Sequence, residues 1–217
     1  MAGHYGILVL KLLILLPCFN ILAQNFEKLQ LKEGSKIWLE GKTNISQYHC
    51  SIDSFRFEAD GTFRHETVDK DSLVIQPDHL SLTLYVSSIQ CGNRLMNRDV
   101  RQALNYPEDR EIVYTYKGLD VTPKINNIYT WNKLEIKGIL EIKNIQNQAF
   151  FPIQVKHLEN HRFHVKGKHT IDMLRYNVEP PSRLNGIIQA RRKLTVHFDI
   201  VIGLESQQIS SNNFFTP

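Results

Sequence analysis

Leu80-Ser-Leu-Thr-Leu-Tyr-Val86 is the stretch that decides the fold. Its apolar residues, Leu80, Leu82, Leu84 and Val86, recur every second position, so they share one face of an extended chain while Ser81, Thr83 and Tyr85 take the other. That is the pattern of a half-buried β-strand. Trp131 to Ile142 repeats it, with Leu134, Ile136, Leu140 and Ile142 on one side and Glu135, Lys137, Glu141 and Lys143 on the other; Ile139 falls on the polar side. Leu194 to Ile202 repeats it again through Leu194, Val196, Phe198, Ile200 and Ile202. Turn residues punctuate the strands at Asp60-Gly61, at Asn144 to Gln148 and at Glu159-Asn160, which predicts hairpins between sequence neighbours. Phe55 and Phe57 sit out of phase with Cys50 and Ile52, so a bulge is expected near Asp53-Ser54.

The run that follows the first strand, Ser88-Ser-Ile-Gln-Cys-Gly-Asn-Arg-Leu-Met-Asn-Arg-Asp-Val-Arg-Gln-Ala-Leu104, breaks the series. Arg98 to Leu104 reads as a short helix, with Asn97 as cap, Asp99 in its first turn and an apolar face of Val100, Ala103 and Leu104. Asn105-Tyr106-Pro107 ends it. The expected fold is therefore all-β, a single antiparallel barrel of about eight strands with one short helix. Strands of about nine residues, near 30 Å long, suit one tall closed sheet that leaves no exposed edge.

Met1 to Ala23 has a weakly basic start and an apolar run from Ile7 to Leu16 broken by Lys11, the form of a secretory signal peptide ending at Ala23. The apolar run is shorter than the roughly 20 residues of a membrane span. Cleavage would leave residues 24–217 as one barrel domain with no transmembrane span, in a periplasmic or secreted setting. It would also remove Lys11 and Cys18, taking the net charge from +4 to +3 and the cysteines from three to two. In an exported chain the remaining pair, Cys50 and Cys91, reads as a disulfide. The sequence pI near 8.9 is mild. Acids are interspersed with the lysines and arginines, so nucleic acid is not expected as a partner. The cluster Ala190-Arg191-Arg192-Lys193 reads as a solvated loop or a site for acidic head groups. Asn44-Ile45-Ser46 has the form of a glycosylation acceptor.

Four blocks in order resemble the YceI-like proteins: Ile37-Trp-Leu-Glu-Gly-Lys-Thr-Asn-Ile45; Cys91 to Leu104 with Pro107; Leu134 to Asn144 with Pro152-Ile-Gln-Val155; and Gly167 to Met173, then Val178-Glu-Pro-Pro181, Asn185-Gly186 and the strand to Leu204. Tyr48-His49-Cys50 stands where many members carry a tryptophan with an acidic neighbour. The resemblance implies an extended lipocalin-like barrel, exported and non-catalytic. It also implies an apolar lipid inside, such as an isoprenoid quinone or a polyprenyl phosphate, with no other cofactor.

The residues expected to line the interior are Phe55, Phe57, Phe63, Leu82, Leu84, Leu134, Ile136, Leu140, Phe151, Ile153, Val155, Phe163, Val165, Val196 and Phe198. Periodicity alone favours a barrel filled by these side chains, which would make the protein an envelope interaction or stress-response module without ligand; the resemblance is what favours a ligand instead. A third reading is a lipid-modifying enzyme. The chain has no Gly-x-Ser-x-Gly elbow, His-Glu-x-x-His helix, phosphate-cradling glycine loop or Cys-x-x-Cys pair, so catalysis is not expected. Among nine histidines, His157, His161 and His164 invite a metal reading, but strand geometry points His161 and His164 to opposite faces and a turn separates His157 from both, so no metal site is expected.

Overall fold

The computed structural model describes residues 26–64, 74–119, 127, 129–160 and 162–206; the expected signal peptide lies outside them. In chain order the elements are β1 (Phe26–Leu31), β2 (Lys36–Thr43), β3 (Gln47–Ile52), β4 (Phe55–Arg64), β5 (Val74–Tyr85), β6 (Ile89–Gln90), α1 (Arg94–Ala103), β7 (Glu111–Leu119), β8 (Asn132–Ile142), β9 (Ile145–Leu158), β10 (Arg162–Asp172), β11 (Ser182–Arg183) and β12 (Ile188–Ser206). Hydrogen bonding runs β1-β4-β5-β7-β8-β9-β10-β12 and returns from β12 to β1, a closed antiparallel ring of eight strands. Closure gives each of the eight ring strands a hydrogen-bonded neighbour on both sides, so the ring has no edge strand at which a sheet would pair with another chain.

Three further strands extend the wall. β12 has nineteen residues, which would span about 60 Å if straight. Its C-terminal part pairs with β1 and its N-terminal part with β2, so β1 and β2 are one wall strand interrupted at Lys32–Ser35. In the same way β3 continues β4, and β6 continues β5. The interruptions are adjacent: Asp53 N–H donates to Ser88 O at 3.2 Å and Tyr85 N–H to Ser54 O at 3.4 Å across two of them, while at the third Lys32 N–H donates to Val201 O of β12 at 2.8 Å and the Ser35 hydroxyl back to Lys32 O at 2.8 Å. Together the breaks form a crease across the wall, and these bonds pair backbone groups that the breaks would otherwise free.

Two sequence expectations about this part of the chain are corrected. The phase change at Asp53-Ser54 is not a one-residue bulge; the strand stops at Ile52 and restarts at Phe55. The bulge in this part of the chain lies at Asp60/Gly61, where a turn was expected. β4 runs straight through that dipeptide because β1 bonds it on one side and β5 on the other, and two ladders outweigh a local turn preference. The β8–β9 turn is Lys143–Asn144, both at positive φ (51° and 59°), the backbone a two-residue hairpin requires; Ile145 to Gln148, expected within the turn, are already strand. Asn160, at φ 60°, sits in the β9–β10 turn as expected.

The helix is longer than the sequence suggested. It starts at Arg94, and its cap is Asn93, whose side chain accepts from Met96 N–H at 2.8 Å. Asn97 instead accepts from Cys91 N–H and donates to Gln90, both at 2.6 Å. Cys91 is disulfide-bonded to Cys50 of β3, so the Asn97 contact and the disulfide together tie the helix start to the wall. Asp99 is not in the first turn; it pairs with Arg183 of β11. Val100, Ala103 and Leu104 still form the apolar face the sequence marked.

Candidate functional site: an apolar cavity in the barrel

Inward-facing residues of the wall enclose a cavity of about 350 Å³. One water needs only about 10–15 Å³, so the barrel is not filled by its own side chains. At one end the floor is made by Val100 and Ala103 of α1 and its cap Leu104, and by Met173, Val178 and Pro181 of the segment after β10. The filled-core expectation is overturned: a small barrel can pack solid, but here three inward positions are glycine.

Gly41, Gly138 and Gly167 each lie under an aromatic ring from a neighbouring strand. Tyr48 covers Gly41, Tyr114 covers Gly138 and Phe198 covers Gly167. A side chain at any of the three would collide with that ring; at Gly167 an added Cβ would also lie 2.8 Å from Pro152 O. The rings therefore lie flat against the wall, which keeps the centre open and lets the sheet curve.

Of the fifteen residues expected to line the interior, thirteen do so: Phe57, Leu82, Leu84, Leu134, Ile136, Leu140, Phe151, Ile153, Val155, Phe163, Val165, Val196 and Phe198. Phe55 packs against the core without reaching the cavity, because it opens β4 directly after the crease. The Phe63 side chain lies outside the described residues. The sequence reading missed Ile37, Leu39, Tyr114 and Tyr116, although each alternates with a non-lining residue, and missed Met173, Val178 and Pro181, whose irregular backbone gives no periodic signal.

No aspartate, glutamate, lysine or arginine is among the described lining residues. The polar atoms are few. The Tyr114 hydroxyl is buried with no hydrogen-bond partner among the described residues, and its ring meets Phe151 edge-on at 4.6 Å. Burial pushes the Tyr114 phenol well above its ordinary range, with Tyr116 nearby adding to the shift, and burial raises Tyr48 and Tyr116 too. These groups stay neutral at any physiological pH.

Among the described residues the histidines do not converge. His157 lines the cavity, while His164 pairs with Asp199 and takes the opposite face of the sheet. His161 lies outside the described residues. On the outer wall the Trp38 ring stacks on His197, with centroids 4.9 Å apart, and Trp38 Nε1 donates to Glu40 at 3.2 Å. That bond leads the forces that hold the Glu40 carboxyl below its usual range. Among the described residues no group of three metal-ligating side chains comes together.

No protein-family model matches the chain, and no curated protein does. Solved structures do match. BcnA of Burkholderia cenocepacia is 17% identical, over 79% of this chain and 99% of that one, with a TM-score of 0.59. A polyisoprenoid binding domain from Saccharophagus degradans, implicated in plant cell wall breakdown, is 13% identical over 82% and 98%, with a TM-score of 0.56. The YCEI protein of Campylobacter jejuni is 11% identical over 73% and 85%, with a TM-score of 0.52. The chain thus has the β-barrel fold of the YceI-like proteins.

Proposed function

We propose that this protein is an exported, non-catalytic carrier that holds a long apolar lipid of the polyisoprenoid type inside its barrel, in a periplasmic or secreted setting. The observation that carries the reading is the cavity itself, about 350 Å³ and free of charged side chains among its described residues. Each methylene-sized group moved from water into such a wall contributes about 0.8 kcal/mol, so ten of them supply about 8 kcal/mol before the costs of association. The likeness in fold to a polyisoprenoid binding domain supports the same ligand class.

The lining also favours one head group over another. Taking a phosphate into a wall without cations costs far more than taking in a neutral quinone ring. A quinone carbonyl could accept the hydrogen bond that Tyr114 does not make within the protein. The bound lipid of this reading is therefore an isoprenoid quinone or a similarly neutral prenyl lipid.

The test is native mass spectrometry of protein purified gently from its own source, followed by organic extraction and identification of what is bound. A stoichiometric neutral prenyl lipid is the expected result. A homogeneous lipid-free protein that ignores added quinones and prenyl phosphates would refute the reading.

A further inference from the structure

The three most exposed large apolar side chains among the described residues are Ile45, Leu184 and Ile187, at 69%, 65% and 68%. They sit at the tips of two loops that are tied together. Asn44 donates from its side chain to Ile187 O at 2.8 Å and accepts there from Gln189 N–H at 3.0 Å, and Asn44 N–H donates to Gln189 O at 3.0 Å. Leu184 has φ +50°, a backbone that favours glycine or asparagine, so the β11–β12 turn carries a bulky apolar side chain where its conformation does not call for one.

Beside these tips the ladder between β12 and β2 is broken between Ala190 and Leu194. The break holds Arg191, Arg192 and Lys193, all exposed, and with Lys42 of β2 they border one shallow depression. Arg192 pairs with Asp172, and Glu40 is engaged by Trp38 and His197. Among the described residues Lys42, Arg191 and Lys193 have no ion-pair partner. Apolar tips projecting beside unpaired cations are the arrangement by which a protein enters the head-group layer of a negatively charged membrane.

We propose that the Thr43–Ser46 turn, the Leu184–Ile187 tip and the cations of the β12 break form a face that docks on an anionic phospholipid bilayer. Ile45, Leu184 and Ile187 insert among the head groups, while Lys42, Arg191 and Lys193 meet the phosphates. The same end of the barrel is floored by α1, which the Arg183–Asp99 pair links to this hairpin. Docking goes beyond the lipid-carrier reading and stands or falls separately from it.

The test is co-sedimentation of the full protein with vesicles of phosphatidylcholine plus phosphatidylglycerol, and with vesicles of phosphatidylcholine alone, at low and high salt. Binding to the anionic vesicles, lost at high salt and absent from the neutral ones, is expected. Arg191→Glu with Lys193→Glu should weaken it by more than about twentyfold, from roughly fivefold for each cation lost. Ile45→Ser with Ile187→Ser should weaken it at unchanged charge, and both variants should melt as the parent does because all four positions are exposed. No sedimentation with anionic vesicles, or sedimentation that charge reversal leaves unchanged, would overturn the proposal. Extraction of bound lipid from the same preparations scores the carrier reading independently.

Discussion

Replacing Tyr114 with phenylalanine should stabilise the lipid-free protein and weaken its hold on lipid, two effects of opposite sign from one oxygen atom. Tyr114 is only 7% exposed, and its hydroxyl has no partner among the described residues. A buried, unmade hydrogen bond of this kind costs about 1–3 kcal/mol, whereas the ring and its edge-on contact with Phe151 survive the substitution. Allowing for the small void left behind, the net gain is about 1 kcal/mol, which in a chain of this size raises Tm by about 2–4 °C. On the proposed quinone reading the hydroxyl gains an acceptor in the lipid-bound protein, so its loss should lower affinity by about 1 kcal/mol, roughly fivefold. Alkaline titration gives a second readout. Because burial raises the Tyr114 pKa, the native state keeps a proton that the unfolded chain releases above about pH 10, so stability is constant below that pH and falls as pH rises past it. Tyr114→Phe should flatten that fall; Tyr48, Tyr116 and Tyr176, also raised by burial, should retain part of it. Melting of delipidated protein by circular dichroism across pH, with quinone retention measured alongside, decides the matter. A lower Tm for delipidated Tyr114→Phe would mean the hydroxyl is satisfied in the native state and would sink the argument.

Leu140→Trp or Phe198→Trp should occupy part of the cavity and reduce lipid uptake while leaving the barrel folded; uptake equal to the parent's in both would count against an interior site. Reducing Cys50–Cys91, which are 41 residues apart, should cost about 4 kcal/mol in the chain-entropy treatment, seen as a lower denaturant midpoint in the presence of reductant. Gly167→Ala should destabilise by about 1–3 kcal/mol, because its Cβ collides with the Phe198 ring and approaches Pro152 O; an unchanged midpoint in urea would show that the ring yields freely.

The period-two runs at Leu80–Val86, Trp131–Ile142 and Leu194–Ile202 determined by themselves that the chain is built of strands with one apolar face, because alternation follows from strand geometry alone. For the same reason thirteen lining residues were legible without coordinates. So were the Cys50–Cys91 pairing, once the chain was read as exported, and the apolar face of α1. Other features needed the tertiary structure, since each depends on what lies across a strand rather than along it. Asp60-Gly61 reads as a turn until β1 and β5 are seen to bond β4 on both sides. The helix start was misplaced because Asn93 and Asn97 are equally good caps in sequence, and only the fold gives Asn97 to Cys91 and Gln90. Whether the barrel is filled or hollow was beyond periodicity altogether. It turns on three glycines lying beneath rings that neighbouring strands supply, so the volume is set by pairs of residues distant in the chain and adjacent only in the folded wall.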